Sequence, residues 1–398
     1  MTGVSYLVLA AAILLLLGLW ESLRHRRNLA RIPIRIHVNG TRGKSSLTRL
    51  LAAALNEAGV VACAKTTGTV PRLILPDGRE VPIFRPAGAN VIEQVRIVSA
   101  AAAHGAQALV VECMAVQPLL QSLSEFKLIR ATHGVITNAR ADHLDVMGPD
   151  EEDVARALAG TIPPQGKLFT SEQRHLRLLH GAAEDRGARL VVVDSEAIAA
   201  VTEEELKGFR YTEHPDNVAL ALAVCAELGL DRETALRGMW KTRPDAGAMT
   251  EHRLDFFGRE IAFVNGFAAN DPESTERVWR MALQRHPDVA RRVALFNLRD
   301  DRPDRSLRLG RACAAWPLAD CYVLTGGGTY LFARAAAAAG LDPARLSFAE
   351  DQRVDEIFET VVGLCGRRSL VVGMGNMGGQ GVELTEYFRN RAAPGEVA

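Results

Sequence analysis

The sequence predicts an α/β fold with two parallel-sheet domains, the first of the P-loop type and the second Rossmann-like, preceded by one N-terminal transmembrane helix. Short apolar runs typical of buried strands alternate with helical segments along most of the chain. A glycine-rich loop, HVNGTRGKSS at 37–46, follows the first of these strands. Residues 4–20 carry no charge. The predicted boundaries are 1–24 for the transmembrane anchor, 30–245 for the central domain and 246–390 for the C-terminal domain.

Composition limits the class of protein before any motif is considered. The chain has 398 residues, of which 48% are hydrophobic, so it can form packed cores and is not globally disordered. With 47 basic and 47 acidic side chains it has no net charge to attract nucleic acid, and aromatic residues make up only 6%. We expect no nucleic-acid partner. Six dispersed cysteines without a CxxC pair predict buried free thiols in a reducing compartment.

The apolar run near the N-terminus, VSYLVLAAAILLLLGLW, is about 17 residues long, close to the minimum that spans a bilayer. Tyr6 and Trp20 lie near its ends, where interfacial aromatic residues belong. A cleaved signal peptide is the alternative, but no basic segment precedes the run and no small-x-small site follows it. A buried core helix is a second alternative. Because arginines follow at 24, 26, 27 and 31, we expect a single-pass anchor in the cell membrane with the catalytic domains in the cytoplasm.

Behind this segment, IPIRIHV (32–38) predicts a strand and SLTRLLAAALNEAG (46–59) a helix that ends at Gly59. Seven further runs predict short buried strands: QALVVECM, HGVITNA, RLVVVDS, EIAFVNG, VALFNLR, CYVLTGG and SLVVGMG. Helical segments between them favour parallel sheets covered by helices. Residues 244–247, of sequence PDAG, predict the link between the two domains.

The loop at 37–46 has the features of a phosphate-binding loop. Gly40 and Gly43 allow a tight turn, and the following helix N-terminus favours an anion. Lys44 is placed to reach the β- and γ-phosphates of a nucleotide, and Ser45 to bind Mg²⁺. The generic pattern G-x-x-x-x-G-K-[ST] is not met, because Val38 occupies the first glycine position. A chance Gly-Lys-Ser sequence is the alternative.

Two further strands end in polar residues. Glu112 ends QALVVECM, where ligands of open α/β sheets bind, so its carboxylate is a candidate Mg²⁺ ligand; a solvent-facing charge is the alternative. HGVITNA is followed by Asn138, Asp142, His143 and Asp145. This cluster could hold a second cation or orient a nucleophile. Its alternative is a helix N-cap with a surface histidine.

NGTRGKSS, VVECM and VITNARADHLDVMG, in this order and spacing, resemble the Mur ligase superfamily of ATP-dependent amide ligases. The phosphate loop of that family, TGTNGKT, has no glycine at the position of Val38. NVALALAVCAELGL, FNLRDDRPDRS and NDPES are similar to three later segments of the family, and the resemblance extends over about residues 34 to 380. It implies ATP and Mg²⁺ as cofactors.

Because the stretch before the loop is short, we expect no nucleotide-sugar-binding domain of the kind that the peptidoglycan ligases carry. The apolar run, TTGT (66–69) and the PxGANVIEQ segment (86–94) are similar to the branch that makes poly-γ-glutamate. This resemblance implies polymerisation of glutamate through an acyl phosphate, with release of ADP and phosphate. The implied partners are glutamate, the growing polymer, the membrane, other membrane subunits and further copies of the chain. The alternatives are a membrane-tethered folylpolyglutamate-type ligase, a non-ligase P-loop ATPase and a catalytically silent scaffold.

Residue roles follow from the resemblance by position. Lys44, Glu112 and His143 would be catalytic, with Ser45 and Glu112 on one Mg²⁺ and His143 on a second. The nucleotide would be bound by Gly40, Thr41, Arg42, Gly43, Lys44, Ser45, Ser46, Asn138, Asn217, Asn270, Asp271, Arg299, Asp300 and Arg302. Many Mur ligases use a carbamylated lysine, but Lys167 aligns loosely and is not assigned that role. Arg72, Arg85 and Arg96 are candidates for binding glutamate carboxylates, with ordinary surface arginines as the alternative.

Overall fold

The computed structural model describes residues 3–68, 70–85, 88–245 and 247–392. The chain forms two compact units: one contains the residues up to Gly208 together with His214–Arg243, and the other contains Phe209–Glu213 and the residues from Pro244 onward. Several positions used in the sequence analysis lie outside the described residues: the first two residues of the predicted anchor, Thr69 of TTGT, Pro86 of the PxGANVIEQ segment and Ala246 of the predicted link.

The N-terminal apolar segment is part of one long helix, α1, which spans Gly3–Ala30. Within the described residues, it is the one helix long and apolar enough to cross a membrane, over Tyr6–Ala30 with a mean hydropathy of 2.1. Its last two turns behave differently, because His25, Asn28 and Leu29 are buried against the first unit. The helix therefore runs without a break from an exposed apolar segment into a packed core.

The first unit contains an eight-stranded sheet in the order β4-β3-β2-β5-β1-β6-β7-β8. Its strands are β1 (Ile34–Asn39), β2 (Ala62–Thr66), β3 (Arg72–Ile74), β4 (Glu80–Pro82), β5 (Ala108–Glu112), β6 (His133–Ile136), β7 (Lys167–Thr170) and β8 (Arg189–Val192). Six of these strands run parallel to one another: β2, β5, β1, β6, β7 and β8. The strands β3 and β4 are antiparallel to their neighbours. The phosphate loop and Glu112 therefore leave the same edge of the sheet, because Val38 of β1 pairs with Glu112 of β5.

Helices connect these strands. They are α2 (Lys44–Glu57), α3 (Glu93–Ala103), α4 (Pro118–Leu123), α5 (Leu144–Met147), α6 (Glu151–Leu158), α7 (Leu176–Asp185), α8 (Ser195–Ala199), α9 (Glu203–Lys207), α10 (Pro215–Glu227) and α11 (Arg232–Trp240). A π-helical turn, Ser124–Ile129, continues α4, and a 3-10 turn, Ala159–Thr161, follows α6. Such π-turns are often found at functional sites.

One predicted strand differs in its environment. RLVVVDS was predicted to be a buried strand, but β8 is the outer strand of the sheet and Val192 is 37% exposed. The prediction of burial was wrong because an apolar run does not show whether its strand has a neighbour on both sides.

The second unit contains a six-stranded sheet in the order β13-β12-β11-β14-β10-β9. Its elements are β9 (Thr250–Phe256), β10 (Arg259–Asn265), α12 (Pro272–Arg285), β11 (Arg291–Leu298), α13 (Pro303–Cys313), β12 (Cys321–Gly326), α14 (Thr329–Ala338), a 3-10 turn (Pro343–Arg345), β13 (Leu346–Glu350), α15 (Val354–Leu364), β14 (Arg368–Met374) and α16 (Gly381–Arg389). All pairs are parallel except β9 with β10. Helices cover both faces, since separate apolar clusters form around Trp279 and Phe388.

The segment Phe209–Glu213, which precedes the predicted domain boundary, packs with the second unit. Thr212 forms a β-bridge with Met249, and its hydroxyl accepts a hydrogen bond from Arg285 at 3.0 Å. The chain thus passes into the second unit, returns for α10 and α11, and then enters the second unit again.

The six cysteines are all buried and free, which confirms the prediction of buried free thiols; the reducing compartment stays a prediction. Burial raises the pKa of the Cys225 thiol to about 12, and that of Cys313 to about 12. These thiols are packing residues of the two cores.

Candidate functional site

The phosphate loop joins β1 to α2 in a conformation that requires glycine at two positions. Gly40 has φ 130° and Gly43 has φ 83°, both in the left-handed region. A Cβ atom on Gly40 would lie 2.0 Å from Thr137 Oγ1, and one on Gly43 would lie 2.4 Å from Asn217 Oδ1. Asn217, the third residue of α10, is therefore packed directly against the loop. A side chain at either position would therefore require the neighbouring group to move, in addition to straining the backbone.

The end of β6 fixes the first half of the loop. The Thr41 hydroxyl donates to Asn138 Oδ1 at 2.6 Å, and the Arg42 amide donates to the same oxygen at 3.1 Å. The Thr137 hydroxyl donates to the Arg42 carbonyl at 2.6 Å. The predicted nucleotide-binding residue Asn138 thus holds the loop in shape, and this leaves the amides of the second half at the N-terminus of α2, where they favour an anion.

Lys44 and Ser45 are the first two residues of α2, and Ser46 is the third. The half-buried Lys44 ammonium donates to the Gly40 carbonyl at 2.6 Å, so it lies back across the loop that it follows. The Ser45 hydroxyl donates to Glu112 Oε2 at 2.9 Å. Ser45 and Glu112 are thereby in direct contact, and Lys44 precedes Ser45 at the start of α2; their roles in binding ATP and Mg²⁺ stay predictions.

Glu112 is not a solvent-facing charge, because only 3% of it is exposed. Its Oε2 also accepts the Thr67 amide at 2.8 Å, so the residues after β2 join the same point. A carboxylate and a hydroxyl oxygen side by side are hard donors that fit Mg²⁺, which usually takes one or two carboxylates and keeps several waters. Among the described residues no group of three His, Cys, Asp or Glu side chains surrounds a metal position. Substrate oxygens and water would therefore complete the coordination.

His143 precedes α5 with φ 49° and ψ 44°, a left-handed conformation that is strained for a residue with a side chain. Such strain clusters at functional positions. The side chain is 23% exposed, and Nε2 lies 3.9 Å from Asp142 Oδ1. Asp142 Oδ2 in turn accepts from Arg42 at 2.9 Å. Arg42 thus joins the phosphate loop to the His143 segment, and its contact with phosphate stays a prediction.

A charged network that the sequence analysis did not identify surrounds the segment after β2. Arg85 donates to both oxygens of Glu93, at 2.6 and 2.9 Å, and to the Thr67 hydroxyl at 3.0 Å. The fully buried Lys65 lies 3.0 Å from the same carboxylate. Burial lowers the pKa of Lys65, and Glu93 opposes that effect. Arg85, a candidate for binding glutamate, is thus engaged in positioning Thr67, the residue that contacts Glu112.

Lys167 begins β7, at the amino end of the strands, and forms an ion pair with Glu227. The phosphate loop leaves the sheet at the carboxyl ends. Lys167 therefore lies at the opposite edge of the sheet from the loop, where it could not bind a metal ion held by Ser45 and Glu112.

In the second unit, the predicted nucleotide residues follow two parallel strands. Asn270 and Asp271 come after β10, and Asp271 caps α12 by accepting the Ser274 amide at 2.9 Å. Arg299, Asp300 and Arg302 come after β11, the strand on the other side of β14.

The side chains after β11 are held by local contacts. Arg299 donates to both oxygens of Asp301, at 2.8 and 2.7 Å. The Arg302 amide donates to the Arg299 carbonyl at 3.2 Å. Asp300 lies so close to the glycines after β12 that a Cβ on Gly327 would be 2.2 Å from its Oδ2. Their contact with a nucleotide stays a prediction.

Asn297 at the same edge was missed by the sequence analysis. Its Nδ2 donates to the carbonyls of Asn376 and Gly378, at 2.6 and 2.9 Å. These bonds fix the glycine-rich turn GMGNMGGQG after β14. The glycines of that turn were the available signal, because glycine-rich turns at the carboxyl ends of parallel strands commonly border ligand sites.

Comparisons with known proteins agree with this arrangement. The family model "Mur ligase middle domain" matches residues 38–220, and "Poly-gamma-glutamate synthase CapB C-terminal domain" matches residues 251–391. The PGA synthase CapB of Bacillus subtilis (strain 168) is 36% identical over 382 residues, which cover 96% of each chain. The capsule biosynthesis protein CapB of Bacillus anthracis is 42% identical over 315 residues, covering 79% of this chain and 67% of the relative.

Solved structures with the same fold include Escherichia coli FolC in complex with ADP, with a TM-score of 0.67, 17% identity and 92% of each chain covered. Mycobacterium tuberculosis folylpolyglutamate synthase complexed with ADP gives a TM-score of 0.65 at 19% identity, covering 94% of this chain and 95% of that one. At these identities the likeness shows the fold alone. The sequence relatives show more: this chain belongs to the CapB family within the Mur ligase superfamily, and is an ATP-dependent amide ligase.

Proposed function

We propose that this ligase polymerises glutamate into poly-γ-glutamate at a membrane, using ATP and Mg²⁺. The observation that carries the proposal is the convergence of Lys44, Ser45 and Glu112 at one edge of the first sheet, in a chain whose relatives are named PGA synthase and capsule biosynthesis protein.

In the proposed reaction, the terminal carboxylate of the growing chain attacks the γ-phosphorus of ATP, and the bond to the β-phosphate oxygen breaks to release ADP. The amine of an incoming glutamate then attacks the acyl carbon of the acyl phosphate. Phosphate leaves, and the amine loses a proton as the amide forms. Such phosphoryl transfer depends mainly on positioning and charge stabilisation.

The contacts described above support the following roles. Gly40 and Gly43 bring backbone amides close to the phosphates, and Lys44 supplies a positive charge next to them. Ser45 and Glu112 would hold Mg²⁺, which when bound neutralises charge developing on the phosphate oxygens. His143 would hold a second cation beside the loop. Asn217 would lie next to the nucleotide, because it packs against Gly43.

The second unit carries the other residues that the family resemblance assigns to the nucleotide. Asn270, Asp271, Arg299, Asp300 and Arg302 follow parallel strands at the edge where ligands of open α/β sheets bind. We propose that they contact ATP from this unit.

We propose further that α1 anchors the enzyme in the cell membrane, with the catalytic units in the cytoplasm. The helix has the required length and hydropathy, and its C-terminal turns carry Arg24, Arg26 and Arg27. Because the polymer would be made on the cytoplasmic side and exported, we also propose that the enzyme works with other membrane subunits. Self-association is a separate part of the proposal. Replacing Leu14 and Leu15 together with arginine should release the protein from washed membranes, whereas Val81→Arg on an exposed position of β4 should not.

The test of the activity uses membranes that contain the full chain, with labelled glutamate, ATP and Mg²⁺. Wild type and Lys207→Ala, an exposed lysine of α9, should form labelled polymer, and Lys44→Ala should form none. Equal polymer from Lys44→Ala would contradict the proposal. Label transferred only to an added pterin acceptor would support a folylpolyglutamate-type ligase in its place.

A further inference from the structure

Gln121, in α4, is fully buried and contacts three separate parts of the first unit. Its Oε1 accepts a hydrogen bond from Asn39 Nδ2 at 2.8 Å. Its Nε2 donates to the Val116 carbonyl at 2.9 Å and lies 3.5 Å from the sulfur of Met147. One amide group therefore joins the end of β1, the segment after β5 and the helix after β6.

Each of these three partners adjoins a residue of the proposed site. Asn39 precedes the phosphate loop, and its Oδ1 accepts the Gly40 amide at 2.9 Å. Val116 follows Glu112 by four residues, and Met147 follows His143 by four residues. The loop, the carboxylate and the histidine belong to three different segments of the chain, and the Gln121 side chain contacts a residue of each segment.

The contacts are directional and lie away from water. Asn39 is 2% exposed, and its Nδ2 has a second partner, the Thr161 hydroxyl at 3.2 Å. Because a buried amide left without a partner is unfavourable, the three segments are constrained to the positions at which the Gln121 amide is satisfied. A methionine or leucine at this position would fill the space without imposing this constraint.

We propose that Gln121 is a positioning residue that sets the distances between the phosphate loop, Glu112 and His143. It acts through Asn39, Val116 and Met147, without touching substrate. This inference rests on the proposed roles of Glu112 and His143 in metal binding, but its structural part, the coupling of three segments, can be tested separately from activity.

The experiment compares Gln121→Met, which keeps the length of the side chain and loses the amide, with Ser124→Ala. Ser124 is buried on the next turn, and its hydroxyl has no hydrogen-bond partner among the described residues, so it is a matched control. Hydrogen exchange is measured on the full-length protein without nucleotide or metal. Gln121→Met should speed exchange in 40–46, 113–117 and 144–148 together, and Ser124→Ala should leave all three segments unchanged.

Kinetics provide the second measurement. In Gln121→Met, the Mg²⁺ concentration for half-maximal ATP turnover should rise about tenfold and kcat should fall by at least that factor, since small misplacements of catalytic groups have effects of this size or larger. Affinity for ADP without Mg²⁺ should stay within about threefold, because the loop keeps its own amides.

Faster exchange confined to 118–129, or unchanged exchange in the three segments, would overturn the proposal even if the chain makes poly-γ-glutamate. Conversely, Gln121→Met could speed exchange in all three segments although the wild-type chain makes no glutamate polymer. That result would support the coupling and contradict the proposed function. If Gln121→Met does not fold, Gln121→Asn decides, because its amide is one methylene too short to reach all three partners. Wild-type exchange in that variant would equally overturn the proposal.

Discussion

The Ser45 hydroxyl and the Glu112 carboxylate, 67 residues apart in the chain, are joined by a hydrogen bond of 2.9 Å. The same carboxylate oxygen accepts the Thr67 amide, so the phosphate loop, β5 and the segment after β2 meet at one atom. A divalent cation placed there would be bound by groups whose distance the sheet already sets, since Val38 and Glu112 are paired across β1 and β5.

The first prediction concerns the charge of that carboxylate. Glu112→Gln keeps the shape of the side chain and removes its negative charge. Mg²⁺-dependent ATP turnover should fall by roughly two orders of magnitude, the scale of removing one charge-stabilising group from an active site. Glu152→Gln, at an exposed position of α6, is the control and should behave as wild type. Steady-state turnover across a Mg²⁺ titration measures both; normal turnover in Glu112→Gln would exclude Glu112 as a metal ligand.

A second prediction separates backbone strain from steric exclusion in the phosphate loop. Gly43 and Gly59 have similar φ angles, 83° and 80°, but only Gly43 lies against another side chain, that of Asn217. Alanine at either position should cost about 1 kcal/mol of stability through the left-handed backbone. Gly43→Ala should also weaken nucleotide binding at least tenfold, on the order of 1.4 kcal/mol. Calorimetric titration with ADP measures this, and equal affinities in the two variants would show that the contact with Asn217 is unimportant.

The third prediction uses the strained backbone at His143. His143→Gly removes the imidazole and also the strain of φ 49°, so the free energy of unfolding should stay within about 1 kcal/mol of wild type while ATP turnover is lost. Gln165, with φ 55° at a turn before β7, provides the matched control. Gln165→Gly should keep both stability and turnover. Full ATP turnover in His143→Gly would remove His143 from the proposed site.

The fourth prediction concerns pH. His37 is fully buried below the phosphate loop, with Nδ1 2.8 Å from Glu125 Oε2. Burial alone would lower the pKa of His37, but the neighbouring Cys113 thiol and the Glu125 carboxylate outweigh it and raise the pKa to about 9. The folded protein therefore binds a proton that the unfolded chain releases above its ordinary pKa of 6.5.

The resulting stability is fully present below pH 6.5 and is lost as the pH rises through about 9. Between these values the free energy of unfolding should decrease by up to about 1.4 kcal/mol per pH unit. Urea unfolding at several pH values measures the slope, with His37→Gln and the exposed His104→Gln compared with wild type. The slope should be smaller in His37→Gln alone; identical slopes in all three proteins would show that His37 is neutral in the folded state.

Much of the site could be predicted because its residues follow strands in a fixed order. In a parallel sheet the carboxyl ends of neighbouring strands lie at one edge, so Ser45 and Glu112 could be expected to meet from their positions in the sequence alone. The same argument predicts that Asn138 and His143, which follow β6, lie at this edge of the sheet. The likeness of the loop to a known family then indicated the chemistry.

The supporting residues could not be predicted in this way. Lys65 interrupts the apolar run of β2, and only its ion pair with Glu93 shows why a lysine is tolerated there. Gln121 and Glu125 point inward from a helix whose outer face carries Leu119 and Phe126, the reverse of the usual polarity. A hydrophobic pattern cannot identify such residues, because their burial depends on polar partners that are distant in the sequence.

The unbroken course of α1 has a mechanical consequence. The His25 ring donates to the Leu128 carbonyl at 2.9 Å, and Arg35 of β1 donates to the Leu29 carbonyl of α1 at 3.3 Å, so the last turns of α1 cannot rotate independently of the first sheet. Each helical residue advances the chain by about 1.5 Å and turns it by about 100°. One residue added to or removed from the exposed part of α1 would thus turn the phosphate loop by more than a quarter of a revolution about the axis of the apolar segment. The length of α1 therefore sets the direction in which the catalytic edge of the first unit faces.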